Sequence, residues 1–431
     1  MLRKIFLYFA NLKFAILLLL FIAGISSIGS LIEQNREDIF YKEQYQTLIL
    51  TIPFWKIILR LGLNTIYTNS WFLFTLCLLG FSLICCTFSQ QLPTLKFSRR
   101  YYFYKKPKQF QKLGFSSKQN SVLKSHLSYN LLNKEYSLFY KKNTLYAYKG
   151  LISRLGPVIV HLSLICILFG SMLGSLKGFN AQELIPKTEI FHVQNIVKYG
   201  MLSEIPQKTF RINDFWFAYN SNNEISQYYS DISVLTSHGL EVKRKTISVN
   251  NPLLIDKLTI YQTDWGISGI RLKFENAMSL DSSINIQLPV LKLPNLKEKI
   301  WVSSLPSFAK NNESFIVLIK NNRGQVNLFN TSGQFLKTIN LGEMTSLTKS
   351  SNFEFSDIIA STGIQIKSDP GIGIIYFGFL FLILSSLISY LSFSEFWLLI
   401  DQKVVFLGAR TNRAKVFLNT EFLKVEQSLV T

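Results

Sequence analysis

Four long runs without a single charged residue interrupt this chain: Phe14 to Ile32, Leu61 to Leu95, Leu155 to Leu176 and Pro370 to Ser394. A bilayer core about 30 Å thick is crossed by ~20 helical residues rising ~1.5 Å each. Each run is long enough, and the second has its apolar centre at Trp71 to Phe88. The sequence therefore predicts a polytopic α-helical membrane protein with spans at 14–32, 71–88, 155–176 and 370–394. A cleavable signal is a poorer reading of the first run, because a secretory apolar core extends over only about 7 to 15 residues and three more runs follow.

The formal net charge is +20, yet charged residues make up only 17% of the chain. Such a basic chain is either a membrane protein or a nucleic-acid binder, and the location of the charge decides between them. Residues 1–32 carry net +3, 33–70 are neutral, 89–154 carry +13, 177–369 carry +3 and 395–431 carry +1. Most of the excess thus lies on one side of a four-span topology. The positive-inside rule puts both termini and the 89–154 segment in the cytoplasm or an organellar stroma, and 177–369 on the opposite side. The stretch around Arg99, Arg100, Tyr101, Tyr102, Tyr104, Lys105, Lys106 and Lys108 resembles an RNA-binding patch. Tethered between two spans, it is read instead as a basic loop, 96–154, that fixes topology and meets membrane lipid headgroups, with no nucleic-acid role.

Between Lys177 and Asp369 the pattern changes to short β-rich runs. Strands are predicted at Phe210 to Tyr219, Ile225 to Leu235, Glu241 to Val249, Leu258 to Gln262, Phe315 to Lys320 and Gln325 to Asn330, with turns at Asn220 to Asn223, Ser237 to Gly239, Asn321 to Gly324 and Thr331 to Gly333. An exported β-sandwich-like domain of about 190 residues between spans 3 and 4 follows. It holds no phosphate-binding glycine loop, no HExxH and no Ser/His/Asp arrangement, so nothing in it points to catalysis. All four cysteines, Cys77, Cys85, Cys86 and Cys166, fall inside the spans. The exported domain therefore has no disulfide, thiolate zinc site or CxxC couple of its own.

Of four histidines, His126, His161, His192 and His238, only His161 falls inside a span. An ionisable group there is a functional-site hypothesis; the plainer account is a neutral imidazole bonded to a neighbouring helix, worth about 0.6 kcal/mol on average. Its helix is expected to begin near Gly156 with Pro157 in the first turn, which puts His161 ~7 Å from that end. Gly170 and Gly174 form a GxxxG pair for close helix packing, and Gly170 lies nine steps, ~180°, from His161. One face packs; the other offers an imidazole to haem, a quinone or a proton. A haem held by two histidines would need its second ligand from a partner or a second copy.

Several stretches together resemble the ResB/CcsB family of cytochrome c biogenesis proteins. They are Leu12, Lys13, Phe14, Ala15, Ile16; Tyr67 to Phe72 with Leu92 and Pro93; Arg154, Gly156, Pro157, Ile159, Val160 and His161, followed by Gly170, Leu173, Gly174, Gly178 and Phe179. Asn251, Pro252 and Leu253, then Tyr261 to Gly266, then Asp369, Pro370 and Gly371, and finally Gly408, Arg410 and Arg413 complete the resemblance. It implies a complex with CcsA, a polytopic partner bearing a tryptophan-rich haem-binding motif absent from this chain. The pair would carry haem across the membrane and attach it to apocytochrome c, with His161 as one axial ligand to the haem iron and CcsA supplying the other. The exported domain would position apocytochrome c, with Asp264 and Trp265 as weaker docking candidates; for Trp265 burial in the sandwich is the plainer account. The alternative is a scaffold that stabilises CcsA and docks apocytochrome without binding haem. A quinone or electron-transfer protein is disfavoured by the single membrane histidine. A start directly at the first span and heavy use of Lys, Asn, Ile, Phe and Tyr fit a plastid-encoded thylakoid protein, with the exported domain lumenal; a bacterial plasma membrane gives the same topology.

Overall fold

The computed structural model describes residues 2–46, 53–119, 124–222, 224–276, 283–293, 299–305, 314–320, 324–348, 351–401 and 404–427. Asn223, and residues 321–323 of the expected Asn321 to Gly324 turn, lie outside them. Among the described residues four helices are long and apolar enough to cross a membrane: Leu12–Leu31, Ser70–Ser98, Leu151–Lys177 and Ile372–Tyr390. Asn11 and Asn69 cap the first two, their side-chain oxygens accepting from Lys13 N at 2.9 Å and Trp71 N at 3.4 Å. The chain divides into two compact units, 1–175 with 370–431, and 176–369.

In the first unit, small residues govern how the third and fourth apolar helices meet. Cβ atoms added at Gly170 and Gly378 would lie 2.8 Å from Ile375 Cγ1 and 2.7 Å from Ile167 Cγ1, and one at Gly371 would collide with the Gly170 carbonyl. The expected close packing at Gly170 therefore has its partner in this same chain, and only glycine permits that separation. The second and third helices run antiparallel. Ser175 Oγ donates to Tyr67 O at 2.6 Å, Cys77 Sγ lies 3.8 Å from Met172 Sδ, and Thr87 meets His161.

Between the first and second apolar helices the described residues form a helical cap. Helices Asp38–Gln44 and Phe54–Leu61 enclose Tyr41, Ile58, Leu63, Ile66 and Phe72. Gln34 ties the cap down: its Nε2 donates to Gly29 O, Ile32 O and Leu63 O, and its Oε1 accepts from Ile66 N at 3.2 Å.

The segment read as a basic loop (96–154) and the C-terminal segment after the fourth run (395–431) are folded together, which corrects the reading of 96–154 as a loop. A five-stranded antiparallel sheet runs in the order Phe115–Gln119, Val404–Thr411, Ser394–Asp401, Thr144–Lys149, Ser137–Lys141. Helices Lys124–Asn133 and Lys415–Gln427 cover one face through Leu127, Leu131, Leu418, Phe422 and Val425. Tyr101 and Tyr104 of the basic stretch pack on the other. Tyr104 stacks on Trp397 with ring centroids 4.8 Å apart, Tyr101 stacks on Phe139 at 3.9 Å, and Trp397 Nε1 donates to Tyr102 O at 2.7 Å. The Tyr101 and Tyr104 rings are thus engaged in packing.

The second unit is β-rich, and its spine is a pair of long antiparallel strands, Leu258–Asn276 and Ser351–Ser368. The short strand expected at Leu258 to Gln262 thus runs on to Asn276. Bulges between Gln262 and Asp264 and between Ile267 and Gly269 bend the spine, so it serves two sandwiches where one was expected. One end packs Ile260, Ile364 and Ile366 against Phe210, Ile212 and Ile232 of a four-stranded sheet. The other packs Ile270, Leu272 and Phe355 against Trp301, Val317 and Leu328 of a five-stranded sheet. Strands Thr209–Tyr219, Ile225–Leu235, Glu241–Ser248, Phe315–Ile319 and Gln325–Asn330 follow the sequence reading to within a residue at each end.

Candidate functional site

His161 sits five residues into the helix Gly156–Lys177 and is half-buried. Gly170, on the far side of that helix, meets the fourth apolar helix. The imidazole instead faces the second, where Nδ1 lies 3.0 Å from Thr87 Oγ1. Thr87 opens a π-helical turn, Thr87–Gln91, inside an otherwise α-helical span. Pro93 explains the irregularity: it has no N–H and its ring collides with an α-helical carbonyl four residues back, at Ser89. A widened turn relieves both, and π turns recur at functional sites. Composition singled out His161 as the lone histidine in a span. Thr87 carried no such mark, and its sequence signal is Pro93 six residues on.

The base of the third helix is joined to the five-stranded sheet. The Arg154 guanidinium lies 4.8 Å from the centre of the Phe393 ring, and Arg413 Nη1 donates to Ser389 O at 2.6 Å, at the end of the fourth helix. Within the sheet Tyr146 Oη donates to Glu395 Oε1 at 2.8 Å. Burial pushes the Glu395 carboxyl above its ordinary range, while the Tyr146 hydroxyl, Arg410 and Arg154 pull it down.

Whether haem iron fits here is decided by donor chemistry. One neutral imidazole has one nitrogen free to ligate once the other carries its proton, and Nδ1 already has a partner in Thr87. Among the described residues no group of three or more His, Cys, Asp or Glu side chains is placed to hold a metal ion. Among the described residues, those present would fit a single imidazole ligand to a haem iron and do not make a complete site.

Asp264 and Trp265 belong to the other unit. Trp265 is half-buried between Phe217 and Trp301, with ring centroids 5.1 and 5.3 Å away, so it bridges the two sandwiches. The Lys299 ammonium stands 5.0 Å over its ring and pairs with the exposed Asp264 carboxylate. Gln262, in the same stretch, is a buried polar anchor whose Oε1 accepts from Ser230 and from Thr362 Oγ1, the latter at 3.0 Å.

A membrane protein with four span-length helices, one intramembrane histidine and a large β-rich region is the class these features define. Comparison with known proteins gives the family: a profile described as the ResB-like family matches residues 12–338 and 287–423. The chain belongs to the ResB-like family. It is 43% identical over 425 residues to cytochrome c biogenesis protein Ccs1 of Thalassiosira pseudonana, covering 98% of this chain and 99% of that one. The Ccs1 proteins of Trieres chinensis and Porphyra purpurea are each 42% identical, covering 98% and 97% of this chain and 99% and 94% of theirs.

Proposed function

We propose that this chain acts in cytochrome c biogenesis as the subunit that, with a CcsA partner, carries haem across a thylakoid membrane and supports its covalent attachment to apocytochrome c. Family membership and near full-length relatives named for cytochrome c biogenesis support the general role. The observation that carries the specific one is His161: a half-buried membrane imidazole with Nδ1 tied to a neighbouring helix, leaving Nε2 to ligate. His161 would hold the haem through its iron, and the haem would supply the group that is attached to apocytochrome c. The chain's own residues hold the imidazole, orient it and surround it with apolar helix. In this reading both termini and the five-stranded sheet are stromal, where the positive charge collects, and the two-sandwich unit is lumenal and meets apocytochrome c.

The test is the haem content of the co-purified complex. His161→Ala is expected to reduce bound haem severalfold while leaving the amount of assembled complex unchanged. Equal haem content and an unchanged absorption spectrum would remove His161 from the ligand set. A scaffold without a haem site is the second reading, favoured by the fact that the imidazole already has a hydrogen-bond partner in Thr87 without any haem. It requires that added imidazole have no effect on a His161→Gly complex, where a vacated ligand position would be refilled.

A further inference from the structure

Proton counting at Thr87 fixes more than a contact. Its hydroxyl has a single hydrogen, and Oγ1 lies 2.7 Å from the carbonyl of Leu83, an acceptor only, so the hydrogen goes there. The same Oγ1 lies 3.0 Å from His161 Nδ1 and must accept at that contact. Nδ1 therefore carries the imidazole proton, and the lone pair is on Nε2. We propose that Thr87 is a positioning residue for His161: it holds the ring in the Nδ1–H tautomer and sets its rotation, so that Nε2 is presented as the ligating atom. This deepens the reading of His161 as a haem ligand and rests on it. A histidine that binds a metal through one nitrogen regularly donates its other N–H to an acceptor, which fixes tautomer and orientation and raises basicity. Here that acceptor comes from a different helix, at the first residue of the π turn. The hydrogen bond thus ties ligand orientation to the packing of the second helix on the third.

The experiment uses the full chain co-purified with its CcsA partner and reads haem per complex, retention against a haem-scavenging apoprotein, and the absorption bands. Thr87→Val keeps the shape and removes the hydroxyl acceptor, while the Leu83 carbonyl, which also faces the imidazole, stays in place. It is expected to weaken haem retention by about 10- to 100-fold, the range for loss of such a supporting partner, and to shift the bands. Thr87→Ser restores both. In a His161→Gly background, free imidazole, which needs no tether, is expected to restore haem equally with Thr or Val at position 87. If Thr87→Val fails to assemble, Thr87→Ala removes the same acceptor without added bulk and is expected to show the same loss. Wild-type retention and bands in the Val or Ala variant, alongside haem loss in His161→Ala, would overturn the positioning role and leave the ligand assignment standing. A loss in Thr87→Ser as large as in Val would also overturn it. Unchanged haem in His161→Ala would instead remove the ligand assignment itself.

Discussion

Two polar side chains at the third helix and the sheet joined to its base answer the same problem differently. His161 has its N–H satisfied and a nitrogen to spare. Glu395 is a half-buried carboxyl that accepts from Tyr146 and lies near Arg154 and Arg410, and its proton is nonetheless held more tightly than usual because loss of hydration outweighs them. A carboxyl whose folded-state pKa is raised adds stability below about pH 4.5, its ordinary value, and loses it as pH rises through the folded-state value. Glu395→Gln should therefore flatten the fall in thermal stability of the detergent-solubilised protein above pH 4.5. Parallel curves for the two proteins would contradict that cause. At this scale His161 was legible because a lone histidine in an uncharged run is conspicuous. Thr87 and Glu395 were not, since each acquires its role from a partner 74 or 249 residues away in sequence.

At the scale of elements, close approach of the third and fourth apolar helices depends on which glycines face backbone. A Cβ on Gly378 would lie 3.1 Å from both Ile167 N and Ser163 O, whereas one on Gly373 meets nothing within 4 Å. Gly378→Ala is expected to destabilise the protein by roughly 1 to 3 kcal/mol through overpacking, and Gly373→Ala to be neutral or slightly stabilising. Equal thermal midpoints for the two variants would show that the helices do not meet as described. The GxxxG pattern announced a close contact, but not that its partner begins 201 residues later, at Gly371. Short strands bounded by Asn and Gly turns were readable from local alternation. The extent of Leu258–Asn276 was not, because its bulges interrupt the two-residue period that marks a strand.

For the whole molecule, the hardest feature to read was the five-stranded sheet. Its central strands, Thr144–Lys149 and Ser394–Asp401, pair across some 250 residues that include two span-length helices. Each is short, and no local turn links them, so one side of the pairing reads as loop and the other as tail. The proposed topology puts this sheet and the two-sandwich unit on opposite faces of the membrane. Single cysteines introduced at Lys142 and at Ser237 in a chain freed of its native cysteines should then react with a membrane-impermeant thiol reagent from opposite sides of sealed vesicles. Labelling of both from the same side would exclude that topology. The tyrosine-rich basic stretch also changes meaning: Tyr101 and Tyr104 pack on the sheet, and in the proposed topology the lysines and arginines around them supply the charge that would orient it.

The central claim is that His161 ligates haem shared with a partner, and the absorption spectrum of the co-purified complex tests it most directly when His161→Gly is compared without and with added imidazole. Loss of the wild-type haem bands in the variant and their return with imidazole is the predicted result. A variant whose bands match the wild type without imidazole would contradict it.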